Sequence, residues 1–470
     1  MARASDPRPS LDWFRNAKYG LFIHWGIYSV LERGEQVLYR EHLPPSEYRK
    51  LAERFRPHRF DPDDWAATAR KAHMGYALLT TKHHDGFCMW DSETTDFTAA
   101  KTGLKRDYVA AYVKAFRRAG LKVGLYFSTA DWSQPAYFEG PRRDPAAFRR
   151  FINYTHEQVR ELCTNYGKID IFWFDGVWPY TAREWRAKEL VAMIRRLQGE
   201  SGHRRQPGII VNDRIGLAGD IATPEQTIPE QQFKPHRTWE SCMTSTDKWW
   251  GYHKGARWKS DLQAIRELCQ VVEVGGNLVY NVGPRPDGSL PPQFKAQMRR
   301  VGDWLDRNGE AIFGTTETIC DTTTFGLMTC GARTVYLHVL HWAGGSCRLS
   351  GESPIVETAR HPSASLNAPV PRKPPTGGEV HLAGLRNRVR GARILATGRE
   401  LQFRQEGPHL YISGLPARAP DARNTVIAVD VVGKPASYPW SRERIWTGSD
   451  EKSQAHSQRV AARLGSWSRT

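Results

Sequence analysis

A helix pattern, then a glycine or short loop, then a β-rich run ending in polar or aromatic residues recurs through the first 290 residues of this sequence. In the clearest copy, Asp61 supplies a helix N-cap before a first-turn proline, Gly75 ends the helix, and residues 76–81 (YALLTT) follow as a buried strand. The same order returns over residues 108–128 and 145–174. Strands that alternate with helices are typical of a parallel sheet, so the pattern predicts an α/β fold whose first domain is a (β/α)8-like, TIM-type barrel.

Polar side chains follow the ends of these predicted strands. Residues 20–23, 208–212 and 277–282 are further apolar runs that read as strands. The residues that close the strands are His24, His83, His84, Asp175, Asp213 and Arg214. In a parallel barrel the C-terminal strand ends meet at one face, which carries the active site, so residues of this kind in chain order favour one shared pocket over separate strand caps.

The pattern changes after about residue 318, where short alternating runs replace the helices. Residues 334–340, 401–403, 410–412 and 425–432 read as short strands between stretches rich in proline, glycine and serine. They predict a C-terminal all-β sandwich domain. We therefore divide the chain into a catalytic domain (1–318), a β-sandwich domain (319–434) and a basic tail (435–470), which lacks a periodic apolar face and is expected to be disordered.

Composition excludes several classes of protein. No stretch reaches the ~20 apolar residues of a membrane span, and seven scattered cysteines without a CxxC pair favour a reducing compartment over a disulfide framework or a zinc knuckle. The formal charge of +17 would suit nucleic acid, but no basic run accompanies a recognition helix, so we expect neither nucleic acid nor a membrane as partner. The first 15 residues lack the apolar segment of a signal peptide, which predicts a cytoplasmic protein, and a homo-oligomer is left open.

Asp175 closes an apolar run, residues 169–174, and precedes a glycine, so the pattern places a carboxylate at the mouth of the barrel on a rigid strand. Glycoside hydrolysis needs two carboxyl groups, which in retaining enzymes lie ~5–5.5 Å apart. One attacks the sugar, and the other, with a raised pKa, protonates the leaving oxygen. Glu225, Glu240 and Glu230 are candidates for the second carboxyl group, and the sequence alone does not rank them.

Eight motifs make the chain similar to one known family, the α-L-fucosidases of glycoside hydrolase family 29. In the family's order they are WFRNAKYGLFIHWG, TTKHHDGFCMWDSETTDF, IFWFDG, VNDR, TPEQ, WESCMT, WWGY and GGNLVYNVGPRPDG. They fall within roughly residues 12–318, and their combination is far more specific than any one short motif. The resemblance implies an exo-acting, retaining α-L-fucosidase that needs no cofactor and acts on fucosylated oligosaccharides or glycoconjugates.

The resemblance also implies roles for individual residues. Asp175 of IFWFDG is similar to the family nucleophile and Glu225 of TPEQ to its acid/base, while Glu240 of WESCMT is the rival because some members use a Trp-Glu carboxylate. We expect a raised pKa to distinguish the acid/base from its rival. The implied fucose-binding residues are His24, Glu35, His83, His84, Tyr126, Trp173, Arg214 and Trp250. Trp173 or Trp250 would form an apolar wall for the methyl group of the sugar.

Three other functions fit parts of the same pattern. A zinc site at the strand-end histidines is disfavoured because neighbours on a regular strand point to opposite faces, so His83 and His84 would not easily share one ion unless the strand has already ended, and no metal is expected. A non-catalytic fucose-binding protein on the same scaffold would need neither Asp175 nor a second carboxylate. A related exo-glycosidase acting on α-L-galactosides would differ only in whether the pocket near Trp173 and Trp250 admits a hydroxyl on the sixth carbon.

Overall fold

The chain divides into two compact units. One comprises Met1–Ala264 and Gly276–Asp303, and the other comprises Ile265–Gly275 and Trp304–Thr470. Within them the computed structural model describes residues 10–103, 105–199, 208–229, 237–320, 323, 325–342 and 378–438. The predicted boundaries after residues 318 and 434 stay predictions, and the predicted tail lies outside the described residues from 439 onward. In the described ranges no helix is long and apolar enough to cross a membrane.

In the described part of the first unit, seven strands form a parallel sheet. They are β1 (Tyr19–Ile23), β2 (Tyr76–Lys82), β3 (Lys122–Ser128), β4 (Ile171–Asp175), β5 (Ile210–Val211), β6 (Glu240–Thr244) and β7 (Asn277–Val282). Their order in space is β5-β4-β3-β2-β1-β7-β6, and every paired strand runs parallel to its neighbour. β1, β2, β6 and β7 are buried along their whole length, as strands covered on both faces are.

A short segment closes the ring between the two edge strands. Ile221 bridges Asn212 just beyond β5, and Glu225 bridges Cys242 within β6, both in the parallel sense. Residues 221–226 therefore take the place of an eighth strand, which leaves no open sheet edge with unpaired backbone groups at this point. The predicted (β/α)8-like barrel is confirmed, and its closing segment carries Glu225.

Helices connect the barrel strands, and local capping explains where several of them begin. They are α1 (Asp12–Ala17), α2 (Val37–Arg40), α3 (Pro45–Arg49), α4 (Leu51–Arg54), α5 (Pro62–Lys71), α6 (Tyr108–Arg118), α7 (Pro135–Arg143), α8 (Pro145–Thr164), α9 (Ala187–Gly199), α10 (Asp261–Glu273) and α11 (Pro292–Asn308), with 3₁₀ turns at Ile27–Leu31 and Gly309–Ala311. The Asp61 carboxylate accepts the backbone N–H groups of Asp63 and Asp64, so α5 begins where the sequence predicts. Asp144 caps α8 in the same way.

In the described part of the second unit, seven antiparallel strands form a sheet. They are β8 (Gly326–Cys330), β9 (Thr334–Val339), β10 (Val380–Ala383), β11 (Val389–Ile394), β12 (Glu400–Glu406), β13 (His409–Ser413) and β14 (Thr425–Val431). Their order is β10-β13-β12-β11-β14-β9-β8. Apolar residues from both ends of this order, such as Leu382 and Met328, belong to one hydrophobic core. The predicted all-β domain is confirmed, and the shared core is that expected of a sandwich.

Candidate active site

Asp175 ends β4 at the C-terminal mouth of the barrel. Its Oδ2 accepts a hydrogen bond from the Tyr126 hydroxyl at 2.9 Å and lies 3.8 Å from His84 Nε2, while Oδ1 lies 3.3 Å from Arg214 Nη1. Burial alone would raise the pKa of Asp175, but the charge of Arg214 and the hydrogen bond from the Tyr126 hydroxyl stabilise the carboxylate and hold its pKa below the ordinary value. The group is therefore ionised at neutral pH, the state that a nucleophile needs.

The residue after Asp175 has to be a glycine. Gly176 has a φ of +71°, a left-handed conformation that residues with a side chain rarely adopt. A Cβ atom at this position would lie 2.8 Å from Ala130 Cβ and 2.8 Å from Ser128 Oγ. The chain can therefore turn sharply against the end of β3 directly after the carboxylate.

Arg214 holds two carboxylates at once. Its Nη1 lies 2.8 Å from Glu225 Oε2 and 3.3 Å from Asp175 Oδ1. The two oxygens are separated by at most the sum of these distances, which is compatible with the ~5–5.5 Å carboxyl spacing of retaining glycosidases. The guanidinium also lies 4.7 Å from the centre of the Trp173 ring. The Glu225 side chain is 44% exposed, so its carboxyl group is open to a leaving group and to water.

Glu240 lies inside the barrel, at the first position of β6 and so away from the mouth. It is buried, and its two oxygens accept hydrogen bonds from the Tyr76 hydroxyl (2.7 Å) and from Trp173 Nε1 (2.8 Å). Burial raises the pKa of Glu240 to about 7, so the raised-pKa criterion favours this residue. Position favours Glu225, because a catalytic acid has to reach the leaving oxygen and both oxygens of Glu240 already bind side chains within the barrel. A raised pKa alone therefore does not identify the acid/base.

We expect Glu240→Gln to reduce the pH dependence of folding stability. The pKa of Glu240 rises from 4.5 to about 7 on folding, so the folded state binds this proton more tightly and stability falls as the pH rises through that range. The free energy of unfolding of the wild type should fall by about 3 kcal/mol through this titration, and the glutamine variant should not show this fall. Chemical unfolding of both proteins at about pH 5 and about pH 8 measures the difference. Burial also raises the pKa of Asp85 to about 7. Because Asp85 titrates in both proteins, its contribution cancels when their stabilities are compared. Equal pH dependence in both would contradict a buried, protonated Glu240.

His24 is held as a neutral ring with one free acceptor. Asn281 donates its Nδ2 to the Trp250 carbonyl at 2.7 Å and therefore presents Oδ1 to His24 Nδ1, also at 2.7 Å. His24 Nδ1 must carry the proton, because an amide oxygen only accepts. Burial lowers the pKa of His24 to about 3, so the ring stays neutral and Nε2 keeps its lone pair. A sugar hydroxyl can donate to that nitrogen.

His84 has the same tautomer for a similar reason. The Ser128 hydroxyl donates to the Ala130 carbonyl at 2.7 Å and so accepts from His84 Nδ1, also at 2.7 Å. Burial lowers the pKa of His84, although the charge of Asp175 opposes the shift. His84 Nε2 is then a second acceptor that a sugar hydroxyl could use, close to the Asp175 carboxylate.

His83 and His84 both lie beyond the end of β2, which stops at Lys82. A register shift between Thr80 and Lys82 marks where regular pairing with β3 ends, and the two imidazole rings are 4.1 Å apart. The strand has therefore ended before His83 and His84, so these neighbours are not held on opposite faces of a strand. Even so, among the residues that the structure describes, no group of three or more histidine, cysteine, aspartate or glutamate side chains could hold a metal ion.

Glu35 contacts the backbone of the loop that carries Trp250. Its buried Oε2 accepts the backbone N–H groups of Trp250 (3.2 Å) and Gly251 (2.9 Å). The Trp250 ring lies 5.0 Å from the ring of His24. Glu35 therefore helps to fix the position of Trp250, and its expected role as a direct hydroxyl ligand stays a prediction.

Stacked aromatic rings line the pocket between these polar groups. The rings of Tyr126 and Trp173 are 5.6 Å apart and nearly parallel. Trp173 is 1% exposed and covered by Arg214, whereas Trp250 is half-buried. Of the two predicted tryptophan walls, Trp250 is therefore the better placed to contact a bound methyl group.

Asn281 and Ser128 are site residues that the sequence reasoning missed. They set the tautomers of His24 and His84, and both lie at or near the C-terminal ends of barrel strands, so the strand-end rule could have found them. Asp213, which the same rule places at the mouth, pairs with Arg237 at 2.9 Å and accepts a hydrogen bond from the Thr223 hydroxyl, which also contacts Arg214. Glu230, the third candidate acid, lies outside the described residues.

Comparisons with known proteins agree with this geometry. A protein-family model described as Alpha-L-fucosidase matches residues 2–310. This chain belongs to the α-L-fucosidase family. Two relatives in the family are the tissue α-L-fucosidase of Rattus norvegicus, 32% identical over 66% of this chain and 71% of its own, and that of Homo sapiens, 31% identical over 74% and 79%.

Solved structures of fucosidases share the fold of this family member. Isoenzyme 1 from Paenibacillus thiaminolyticus superposes with a TM-score of 0.76 at 34% identity, over 90% of this chain and 98% of its own. A family 29 enzyme from Bacteroides thetaiotaomicron, solved as a trapped covalent intermediate with 2-fluoro-fucosyl fluoride, gives a TM-score of 0.76 at 27% identity, over 92% and 100%. The predicted fold class and the family resemblance are both confirmed.

Proposed function

We propose that this chain is an exo-acting, retaining α-L-fucosidase that releases terminal α-L-fucose from oligosaccharides or glycoconjugates by double displacement. Asp175 is the nucleophile and Glu225 is the acid/base. The observation that carries the proposal is the contact of Arg214 Nη1 with both carboxylates at the mouth of the barrel. Through this contact the two carboxylates lie close enough to be compatible with the short separation of a retaining mechanism.

In the first step Asp175 attacks the anomeric carbon while Glu225 gives a proton to the leaving glycosidic oxygen. The bond to the leaving group breaks, and fucose becomes an ester of Asp175. Arg214 and the Tyr126 hydroxyl keep the attacking carboxylate ionised and oriented. The Glu225 side chain is 44% exposed, which leaves its carboxyl group free to reach the leaving oxygen.

In the second step Glu225 acts as the base. It removes a proton from a water molecule, the water oxygen attacks the anomeric carbon, and the bond to Asp175 breaks. Glu225 has given up its proton in the first step and is therefore the carboxylate that this step needs, with Arg214 Nη1 2.8 Å from its Oε2. Two successive inversions release fucose with its original configuration.

Neutral acceptors and one tryptophan account for recognition of the sugar. His24 Nε2 and His84 Nε2 accept sugar hydroxyls, because Asn281 and Ser128 occupy the other ring nitrogens. Trp250 provides an apolar surface for the methyl group of a 6-deoxy sugar.

Release of nitrophenol from 4-nitrophenyl α-L-fucoside tests the activity, and the α-L-galactoside is the matched substrate with one added hydroxyl. We expect the fucoside to be preferred by about tenfold to a hundredfold, because that hydroxyl finds no partner against an apolar wall. NMR should show α-L-fucose as the first product. First release of the β-anomer would overturn retention, and faster hydrolysis of the galactoside would change the assigned sugar. Binding of L-fucose without turnover of either substrate would indicate a binding protein.

A further inference from the structure

Exposed aromatic rings lie beside the nucleophile, outside the pocket described above. Trp178 is 50% exposed and Tyr39 is 58% exposed. Trp132 links them, since its ring lies 5.2 Å from the Tyr39 ring and 5.0 Å from the His84 ring, which in turn lies 5.2 Å from the Trp178 ring. We call Tyr39, Trp132 and Trp178 the aromatic rim.

The backbone beneath Trp178 is fixed although its ring is exposed. The Tyr137 hydroxyl donates to the Trp178 carbonyl at 2.8 Å, and Trp185 Nε1 donates to the Val177 carbonyl at 2.6 Å. Exposure of a large apolar ring is unfavourable in water, and a fixed backbone lowers the entropy that ligand binding would remove. A tryptophan whose ring is exposed and whose backbone is held by hydrogen bonds is therefore suited to act as a binding platform.

His84 connects the rim to the reacting groups. Its Nε2 lies 3.8 Å from Asp175 Oδ2, and its ring contacts both Trp132 and Trp178. In the proposed mechanism the leaving group is bound to the anomeric carbon that Asp175 attacks, and the rim surrounds His84 beside that carboxylate. We propose that the aromatic rim is the subsite for the sugar that carries the fucose, and that Trp178 stacks on the pyranose ring of that sugar. This inference rests on the proposed function.

A pyranose matches the rim in shape and chemistry. One face of such a ring presents C–H groups, which pack on an aromatic surface, while its edge presents hydroxyls. The rim offers separate ring faces joined through the polar imidazole of His84, rather than the continuous apolar surface that a lipid chain would need. The rim therefore favours a glycan as the leaving group.

Two substrates that differ only beyond the fucose test the rim. In α-L-fucosyl fluoride the leaving group is too small to reach Trp178, whereas a fucosyl disaccharide places a pyranose there. We expect Trp178→Ala to lower kcat/KM for the disaccharide that the wild type cleaves fastest about tenfold more than for the fluoride, the effect of one lost stacking contact. Trp178→Phe should recover most of that loss. Phe403→Ala is the matched control, because Phe403 is an exposed aromatic residue (37%) on β12 of the second unit, and it should change neither rate.

Each other outcome has a distinct meaning. Equal losses on both substrates would show that Trp178 only maintains the active site, and would overturn the subsite. An unchanged rate on the disaccharide would overturn it as well. A wild-type protein that does not hydrolyse fucosyl fluoride would instead overturn the proposed function, and the subsite with it.

Discussion

Asp175→Ala is expected to lower kcat/KM for 4-nitrophenyl α-L-fucoside by about 10⁴-fold, because the variant has no atom that can bond to the anomeric carbon. Azide can enter the space that the carboxylate vacates and attack from the same face of the sugar. Turnover should therefore return when azide is added, and the product should be β-L-fucosyl azide, with inverted configuration. Release of nitrophenol gives the rates, and NMR of the product gives its configuration.

Asp247→Ala is the matched control for this experiment. Asp247 is also an aspartate, but it pairs with Arg257 at 3.0 Å near the protein surface. Loss of such an exposed pair should change activity by less than about twofold. If folded Asp175→Ala protein keeps more than about a tenth of the wild-type activity, another group is the nucleophile.

Glu225→Ala is expected to affect substrates according to their leaving group. Fucosides with sugar leaving groups should slow by about 10³-fold, because a sugar alkoxide needs a proton to depart. Formation of the ester from 4-nitrophenyl α-L-fucoside should slow far less, because nitrophenolate departs without one. Azide should again restore turnover, but with retained configuration, because Asp175 still forms the ester. Rates on a series of aryl fucosides of graded leaving-group pKa measure the effect.

Glu240→Gln decides between the two candidate acids. If Glu240 were the acid/base, the dependence on the leaving group and the rescue by azide would appear in this variant and be absent from Glu225→Ala. We expect the reverse, because Glu240 binds Tyr76 and Trp173 inside the barrel. Any loss in Glu240→Gln should be similar for all leaving groups, since it would act through the position of Trp173.

The residues at the mouth of the barrel could be predicted because their positions follow from the periodicity of the strands. His24, His84, Asp175 and Arg214 each follow an apolar run, and the ends of parallel strands meet at one face. The structure does bring these four residues together with Glu225. That these residues lie close together therefore follows from local patterns in the sequence.

Hydrogen bonds between side chains on strands that are distant in the sequence could not be predicted in this way. Tyr76 and Glu240 are 164 positions apart in the sequence, and His24 and Asn281 are 257 apart. Which side chains meet depends on the register of strands that are distant in the chain. Burial depends on the same register, which is why the raised pKa of Glu240 could not be foreseen.

Several expectations from the sequence remain predictions. They concern the domain boundaries, the basic tail, the cytoplasmic location and the possible homo-oligomer. None of them affects the chemistry proposed for the barrel mouth, because every group used there belongs to the first unit.

The most direct test of the account is the covalent bond between fucose and Asp175. A 2-deoxy-2-fluoro-fucosyl fluoride carries a good leaving group but slows breakdown of the ester, so the intermediate should accumulate on the wild-type protein. Proteolysis and mass spectrometry then locate the label. We predict one fluorofucosyl group per chain, attached to Asp175, with activity returning as the ester hydrolyses. A label on another residue, or an active protein that is never labelled, would contradict the account.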